Sequence, residues 1–322
     1  MRLIAPLKIV LLCVFSLLAQ SVSADSIDQW LDKMGHASQQ QNFQGTLVIR
    51  QQDKMQAIRV KQGVTAKGSW QTLESLTGED QTIIRHNNQV TTIFPAQKLV
   101  TISDELAGAM DKGPLHPALP DNRQALKKLY QLELSGHDRI ANKVTQKIQM
   151  VPRDQHRYGY IFWLDEESGL LLKCDLLDEK GKVLEQLMYS NVELLPSAPT
   201  KSIDVDLLNT YRKVQLMDEQ GIRQQRWQAS NLPVGFELIR AVKVNHHSRV
   251  TPAYHMVYSD GMASVSVFVE QRKEVDMPVI GMSSMGPVNA YSSFMDNDYV
   301  TVIGEVPSAT VRMIAESIKP IN

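Results

Sequence analysis

Two apolar runs separated by a polar turn give the stretch from Arg157 to Leu177 the most distinctive pattern in the chain. Between the runs lie Asp165 to Gly169, residues that are typical of a turn between strands. The first run has large apolar groups at both alternate sets of positions: Tyr158, Tyr160, Phe162 and Leu164 in one set, Ile161 and Trp163 in the other. An antiparallel strand with one face in water should alternate apolar with polar residues. The pattern therefore predicts a strand that is covered on both faces or that lines a cavity.

An amphipathic helix is predicted at Ile27–Ala37, because apolar residues there recur at spacings of three and four behind the N-cap candidates Asp25 and Ser26. Strand periodicity follows it, with about ten antiparallel strands. Their predicted ranges are 43–50, 55–62, 81–86, 89–94, 99–102, 131–136, 143–151, 157–164, 170–177 and 183–194. A sheet of this size tends to curl. We therefore expect an incomplete barrel wrapped on helices, with a residual apolar cavity inside it.

A Pro- and Ser-containing segment at 196–214 predicts a linker, within which 203–214 is either a short helix or an extended connector. A second domain is predicted at 215–322, after a first domain at 25–195. Its predicted strands are 222–229, 236–244, 253–258, 262–269, 288–294 and 299–304. A closing helix is predicted near 308–318, and Gly281–Gly286 is interpreted as a mobile loop. A longer loop, with function or mobility, is expected at 104–122.

Residues 1–24 are typical of a secretory signal peptide, with Arg2 and Lys8 at the start of an apolar run and Val22-Ser23-Ala24 as the cleavage site. If the signal peptide is removed on export, Cys174 is the single remaining cysteine. A single cysteine favours a bacterial periplasmic protein over a disulfide-rich secreted one. The loss of Arg2 and Lys8 changes the net charge from −1 to −3. This balance argues against a nucleic-acid partner.

Candidate chemistry is sparse in the sequence. The eight histidines are scattered, and the adjacent pair His246 and His247 would point to opposite faces of a strand. No spacing typical of a metal site is present. The segment Gly281–Gly286 lacks the second glycine of a nucleophile elbow at the required position, and Cys174 among leucines is interpreted as an apolar filler. We therefore predict no enzyme activity, no metal and no cofactor.

Several short motifs, in order along nearly the whole predicted mature chain, resemble the RseB/MucB family of periplasmic regulators of the envelope-stress sigma factor sigma-E. These motifs are Leu31–Met34, Arg157–Asp165, Asp175–Asp178, Leu232–Phe236, Tyr258–Gly261, Val302–Pro307 and Arg312–Glu316. The resemblance implies an α+β, mostly antiparallel fold, with an N-terminal half-barrel like LolA and LolB and a smaller C-terminal α+β domain. It is weakest at 64–119 and in the linker.

The resemblance also implies a function. Such a protein would bind the periplasmic region of a membrane anti-sigma factor, RseA or MucA, and shield it from the site-one protease DegS. Lipopolysaccharide or another acyl-chain ligand would release it, and a homo-oligomer is a further assembly to consider. The alternative function is a periplasmic lipid or lipoprotein carrier of the LolA type. The additional domain favours the regulator, because a carrier does not obviously require it.

Two sets of residues are candidates for binding. We predict that an acyl-chain cavity is lined by Phe43, Leu47, Tyr160, Phe162 and Trp163, since ligand cavities are mostly apolar. We predict that partner contacts involve Trp227, Phe236, Tyr258 and Phe268 in the second domain, where aromatic residues are frequent binding hot spots. For each aromatic residue, ordinary core packing is the competing interpretation.

Overall fold

The computed structural model describes residues 26–66, 68–86, 89–104, 123–200, 209–215, 225–244, 253–272 and 278–321. Within them the protein is mostly antiparallel β-sheet with three α-helices. The signal peptide predicted at 1–24, the long loop predicted at 104–122 and the pair His246–His247 lie outside the described residues, apart from Asp104. No helix in these ranges is long and apolar enough to cross a membrane.

Helix α1 spans Ile27–Gln40 and starts where the sequence predicts. The Ser26 hydroxyl accepts a hydrogen bond from the Gln29 backbone N–H, and the Gln29 side chain accepts one from the Ser26 N–H, which forms a capping box. The helix buries one face, made of Trp30, Leu31, Met34 and Ala37. This face packs into the core of the large sheet described next.

Twelve strands form one large sheet. The short helix α2, Arg123–Leu129, comes between the sixth and seventh of these strands in the sequence. The first six strands are β1 Phe43–Gln51, β2 Lys54–Thr65, β3 Gly68–Ser75, β4 Thr82–His86, β5 Gln89–Phe94 and β6 Leu99–Asp104, with a 3-10 turn at Pro95–Gln97. The others are β7 Tyr130–Ile140, β8 Lys143–Pro152, β9 Gly159–Asp165, β10 Leu171–Leu177, β11 Val183–Leu194 and β12 Arg212–Gln215. Strand β3 was missed by the sequence analysis.

The strand order in the large sheet is β12-β6-β5-β4-β3-β2-β1-β11-β10-β9-β8-β7. Every neighbouring pair is antiparallel except β12 and β6, which are parallel. Strand β12, most of which lies in the segment predicted as a linker, therefore extends the large sheet. Residues 212–214 are extended rather than helical, which was one of the two conformations predicted for 203–214. We call residues 26–215 the N-terminal unit.

The C-terminal unit, residues 225–321, contains a six-stranded sheet and a two-stranded sheet. Its strands are β13 Trp227–Ala229, β14 Glu237–Val244, β15 Ala253–Ser259, β16 Ser264–Gln271, β17 Gly281–Met285, β18 Val288–Met295, β19 Asp298–Gly304 and β20 Ile318–Pro320. Helix α3, Ser308–Glu316, packs on the six-stranded sheet, whose order is β14-β15-β16-β19-β18-β17. The prediction of a loop at Gly281–Gly286 was wrong for 281–285, because these residues pair with β18 from Gly281↔Ser292 to Met285↔Val288.

Candidate functional site: the wall strand and the joint between the two units

Strand β9 lies between β8 and β10 and is covered on both faces, as its sequence pattern predicts. Tyr160 and Phe162 point to the side of α1 and belong to the large apolar core, with their ring centroids 5.7 Å apart. Phe43 and Leu47 of β1 belong to the same core, and Phe43 is fully buried, with its ring edge-on to Tyr189 at 6.0 Å. These four predicted cavity residues are thus brought into one apolar cluster. That they line an acyl-chain cavity stays a prediction.

Trp163 lies on the opposite face of β9 from Phe162, because successive residues of a strand alternate. Lys147 and Lys173, its pairing partners on the two neighbouring strands, place their ammonium groups 5.6 and 3.9 Å from its ring centroid. Its indole N–H donates to Asp138 Oδ2 at 3.2 Å. A hydrogen bond from the Arg139 backbone N–H lowers the pKa of Asp138 below its usual value, and the bond from Trp163 lowers it to a smaller extent. Trp163 nevertheless belongs to the same apolar core cluster as the other four predicted cavity residues, and its part in an acyl-chain cavity stays a prediction.

Two tyrosine hydroxyls in the apolar core have no hydrogen-bond partner among the described residues. They belong to Tyr130 of β7 and Tyr189 of β11, each only 1 % exposed. Burial raises the pKa of both hydroxyls well above the usual value. A buried hydroxyl is costly when it has no hydrogen-bond partner. These two hydroxyls are therefore positions in the core at which a further polar group could form a hydrogen bond.

Arg157, immediately before β9, connects the two units through a fully buried guanidinium group. Its Nη1 donates to Asp260 Oδ2 at 2.6 Å, and its Nη2 donates to the Val234 carbonyl at 2.6 Å; both acceptors are in the C-terminal unit. Within its own unit, Nε and Nη2 each donate to Asp154 at 3.0 Å. Burial tends to raise the pKa of Asp154, but the hydrogen bonds from Arg157 and from the His156 backbone outweigh it and lower this pKa.

The turn between β15 and β16 carries Asp260 into this contact. Asp260 Oδ1 accepts hydrogen bonds from the backbone N–H groups of Met262 at 2.9 Å and Ala263 at 2.8 Å, so its other oxygen is aimed at Arg157. Met262 is buried in the core cluster of the N-terminal unit, although it belongs to the C-terminal unit. The turn therefore inserts one apolar and one charged side chain across the boundary.

The residues on either side of Arg157 also bond to the C-terminal unit. The His156 carbonyl accepts from Thr310 Oγ1 of α3 at 2.9 Å. The Tyr158 hydroxyl donates to the Pro287 carbonyl at 3.2 Å and accepts from Asn289 Nδ2 at 2.9 Å. Burial, with a smaller effect of nearby carboxylates, raises the pKa of Tyr158 to about 12, so it stays protonated. We call residues 156–158 the interdomain joint, because each of them bonds to a different element of the C-terminal unit.

Close backbone packing supports the joint on one further side. Gly235 has a φ of +87°, and a Cβ atom there would lie 2.9 Å from Leu129 Cδ2 at the end of α2. Any side chain would be strained both by the backbone conformation and by this contact. The guanidinium of Arg157 lies 5.7 Å from the Phe236 ring centroid and 6.0 Å from that of Tyr130, so an aromatic ring from each unit borders the ion pair.

The predicted partner-binding residues are dispersed in the C-terminal unit. Phe236 and Tyr258 are 5 % and 2 % exposed and belong to its core, where the Tyr258 hydroxyl accepts from the Ala229 N–H at 2.9 Å. Trp227 is half-buried in β13 and packs against that core. Phe268 is half-buried and stacks on His255 with a centroid distance of 4.3 Å. Their role as partner contacts stays a prediction.

Strand β17 supplies an apolar surface that the sequence analysis missed. It is an edge of the six-stranded sheet, and Met282 and Met285 are 41 % and 77 % exposed on it, next to exposed Val279 and Ile280. The edge strands of both larger sheets differ in charge: β7, β12 and β14 each contain charged residues, whereas β17 contains none. Charged residues protect an edge against pairing with another chain. The uncharged β17 edge is therefore the one suited to accept an additional strand.

A groove of about 650 Å³ opens on the outer face of the large sheet and is polar. It is lined in part by Gln44 and Thr46, which alternate along β1 with the buried core residues. Arg59 bonds Glu74 at 2.7 Å within it. Such a lining does not suit an acyl chain, so the groove is not the predicted lipid site.

The described residues offer little for catalysis or metal binding. No group of three or more His, Cys, Asp and Glu side chains that could hold a metal ion occurs within them. Cys174 is 3 % exposed, and burial raises the pKa of its thiol well above the usual value, which disfavours the reactive thiolate. The interpretation of Cys174 as an apolar core residue agrees with its place in the core cluster.

Comparison with known proteins identifies relatives along the whole described chain. Two family models match, the MucB/RseB N-terminal domain over residues 26–207 and the MucB/RseB C-terminal domain over residues 221–319. The sigma factor AlgU regulatory protein MucB of Pseudomonas aeruginosa is 31 % identical over 306 residues, 92 % of each chain. The sigma-E factor regulatory protein RseB of Haemophilus influenzae is 30 % identical over 321 residues, 98 % of each chain.

Solved structures of similar proteins cover both units. The complex of Pseudomonas aeruginosa MucA and MucB matches with a TM-score of 0.70 and 27 % identity, covering 91 % of this chain and 98 % of that one. A crystal structure of MucB matches with a TM-score of 0.62 and 29 % identity over the same shares of the two chains. Residues of both units are therefore matched by these proteins.

Proposed function

The chain belongs to the MucB/RseB family, and from this membership we propose that it is a periplasmic regulator that binds the periplasmic region of a membrane anti-sigma factor of the RseA/MucA type. Bound in this way, it would shield the anti-sigma factor from site-one proteolysis and so restrain a sigma-E-type factor. Lipopolysaccharide or another acyl-chain ligand would release it. The family consists of regulatory proteins, so the proposal includes no catalytic step.

The observation that carries the proposal is the match of both units to MucB in its complex with MucA. A second crystal structure, MucB in complex with MucA(peri), matches equally well, with a TM-score of 0.70 over 92 % of this chain. A LolA-type carrier would need only the N-terminal unit. Here the C-terminal unit is joined to it by a buried ion pair and an inserted methionine, which supports a function that uses both units.

We place the anti-sigma segment on the C-terminal unit, at the β17 edge. An extended peptide can add a strand to an exposed sheet edge, where main-chain hydrogen bonds supply affinity and alternate side chains supply specificity. Methionine suits such a surface because its flexible thioether adapts to different partners. Met282 and Met285 are the exposed apolar side chains of this strand. Trp227 and Phe268, each half-buried, remain further candidates for contacts with the partner.

Binding is tested by calorimetry with residues 25–322 and the purified periplasmic segment of the anti-sigma factor encoded in the same genome. The expected result is saturable binding that weakens when lipopolysaccharide is added, together with slower cleavage of the segment by the site-one protease. Binding that is absent at micromolar concentrations, or cleavage at an unchanged rate, would contradict the proposal.

The position of the binding surface is tested with a pair of matched variants. Met285→Lys puts a charge on the β17 edge, whereas Met55→Lys puts the same charge at a 66 % exposed methionine of β2 in the N-terminal unit. We expect the first to weaken binding of the anti-sigma segment by about tenfold, or about 1.4 kcal/mol, and the second to leave it unchanged. Equal affinities of the two variants for the anti-sigma segment would contradict a binding site at β17.

A further inference from the structure

Exposure of the methionine side chains is uneven within the part of the chain that the structure describes. The core methionines, each at most 7 % exposed, are Met34, Met150, Met256 and Met262. Among the described residues, the exposed methionines are Met55, Met282 and Met285. Two of these three lie within the five residues of β17. In the described ranges, exposed thioether groups are therefore concentrated on one edge strand of the C-terminal unit.

The two methionines of β17 lie on opposite faces of the strand, because they are three positions apart and side chains alternate. Met282 is paired with Tyr291 of β18, and Met285 is paired with Val288. A strand added along the side of β17 that faces away from β18 would therefore have a methionine beside it on each face. Side-chain pairs across neighbouring strands stabilise a sheet. A change in the polarity of these two side chains would affect both faces of an added strand.

The surface around β17 lacks charge. Residues 277–295 include no Asp, Glu, Lys or Arg. Exposed Val279 and Ile280 come directly before the strand, and the Val279 carbonyl accepts a hydrogen bond from the Tyr299 hydroxyl at 2.7 Å, which holds this segment against the sheet. Changes of pH near neutrality and of salt act on charged groups, so they leave the polarity of this surface unchanged. Oxidation of its thioethers would change that polarity directly.

Oxidation of a thioether by a peroxide requires access to the sulfur atom. A lone pair of the sulfur forms a bond to one peroxide oxygen while the O–O bond breaks. The other oxygen leaves with the electrons of the broken bond and takes up the proton of the first oxygen. Hydrogen peroxide and methionine thus give methionine sulfoxide and one water molecule, with two electrons lost by sulfur and gained by the peroxide. The sulfoxide side chain is polar, whereas the thioether is apolar.

We propose that Met282 and Met285 form an oxidation site, at which a peroxide converts the apolar β17 edge into a polar one and weakens the addition of a partner strand there. The effect on the partner rests on the proposed function, whereas the selective oxidation of the two residues does not. A sulfoxide oxygen covered by an apolar side chain of the partner would lose water without gaining a hydrogen bond. Methionine sulfoxide reductases reverse this modification, so the change is not permanent.

The oxidation site is tested with residues 25–322 treated with hydrogen peroxide and followed at each methionine by peptide mapping with tandem mass spectrometry. Among the described methionines, we expect Met285 and Met55 to be oxidised first, Met282 next and the core methionines last, in the order of their exposure. The melting temperature should stay unchanged while the core methionines are intact. Oxidation of Met282 and Met285 that is no faster than that of Met256 would overturn the site.

The effect on the partner is tested with matched variants. The double variant Met282→Leu, Met285→Leu keeps both side chains apolar and of similar volume but has no sulfur to oxidise on β17. Met55→Leu removes an equally accessible thioether from the N-terminal unit and is the control. Each protein is oxidised, freed of peroxide and titrated with the anti-sigma segment in a calorimeter.

Peroxide should weaken binding to the parent and to Met55→Leu by about tenfold, and to the double variant by less than about twofold. Methionine sulfoxide reductases A and B, supplied with a thiol reductant, should restore the affinity of the oxidised parent. An equal loss of affinity in the parent and the double variant would overturn control through β17.

The oxidation site and the proposed function fail in different ways. If Met282 and Met285 are oxidised before the core methionines but the untreated protein does not bind the segment, the proposed function fails and the oxidation site stands. If the untreated and the oxidised parent bind equally well, the proposed function stands and the oxidative control is overturned. The bound segment should also slow the oxidation of Met285 relative to that of Met55, because a strand added at β17 covers the first residue only. Unchanged relative rates would overturn control at this edge.

Discussion

Strand β9 is held differently along its length. In its middle, Phe162 and Tyr160 are buried among apolar side chains from α1 and from the strands around them. Immediately before the strand, residues 156–158 make hydrogen bonds and an ion pair with three separate elements of the C-terminal unit. Apolar burial stabilises without prescribing a direction, whereas buried polar contacts are directional and costly to break halfway. The middle of the strand therefore contributes stability, and the residues before it contribute directional contacts between the units.

Removing the charge at the joint should have the largest effect. Arg157→Met leaves the buried Asp260 carboxylate unpaired, which we expect to cost about 3–5 kcal/mol of the free energy of unfolding, measured by urea denaturation. The double variant Arg157→Met, Asp260→Leu should recover most of this stability, because an apolar pair can replace a buried ion pair. Arg312→Met, which removes an exposed ion pair of α3, is the control and should leave the free energy of unfolding nearly unchanged, because water screens exposed charges.

Truncation in the middle of β9 should cost about as much or slightly less stability, without changing orientation. Phe162→Ala creates a cavity in the core, and we expect a loss of about 3–5 kcal/mol in the same denaturation experiment. Val144→Ala, at a 55 % exposed position of β8, provides the control and should change stability by less than about 0.5 kcal/mol. A loss in Phe162→Ala as small as that in Val144→Ala would contradict this estimate for the buried ring of Phe162.

A single neutral hydrogen bond at the joint should have a smaller effect. Thr310→Val removes the donor to the His156 carbonyl, and we expect a loss of about 1 kcal/mol. Thr301→Val should cost a similar amount, because its bond is of the same chemical type. Equal losses in the two variants, measured by urea denaturation, would show that the bond at the joint adds no more stability than a bond inside one unit. A larger cost for Thr301 would weaken that interpretation.

The smallest expected effect is a pH dependence at Glu305, an exposed residue that directly follows β19. Loss of hydration, with a smaller effect of Glu185, raises the pKa of Glu305 to about 7. A carboxyl whose pKa is raised by folding favours the folded state below its unfolded pKa, 4.5, and this advantage is lost as the pH rises through 7.

Glu305→Gln should therefore flatten the change in melting temperature between pH 5 and pH 8. The exposed Glu316→Gln serves as the control and should follow the parent. Parallel curves for the parent and Glu305→Gln would show that Glu305 is as well hydrated in the folded protein as in the unfolded one.

Much of the fold follows from local patterns in the sequence. The start of α1, the strand at 89–94 and the strand at 183–194 agree with prediction, because capping residues and alternation are local signals. Strand β17 was missed because glycine, serine and methionine have weak strand preferences, and pairing with β18 decides its conformation.

The candidate site was predictable only in part. Arg157 stood at the start of the most distinctive stretch, but its partner Asp260 is 103 residues away, and no local pattern connects them. Alternation alone would have placed Trp163 opposite Phe162. The apolar character of both positions concealed this, and the two lysines that approach the Trp163 ring come from neighbouring strands, which no local pattern connects to it.

The seam between β1 and β11 determines how the large sheet can assemble as the chain is made. Strands β1–β6 and β7–β11 each pair with their neighbours in sequence, so each half can form from hairpins. The two halves meet only when β1 pairs with β11, as in the bond from Gln44 to Glu193 across 149 residues. Closing so long a loop is entropically costly and slow. Until β11 has been made, the β1 edge of the first half stays unpaired, so a chain truncated before residue 183 would keep that edge exposed to aggregation and proteolysis.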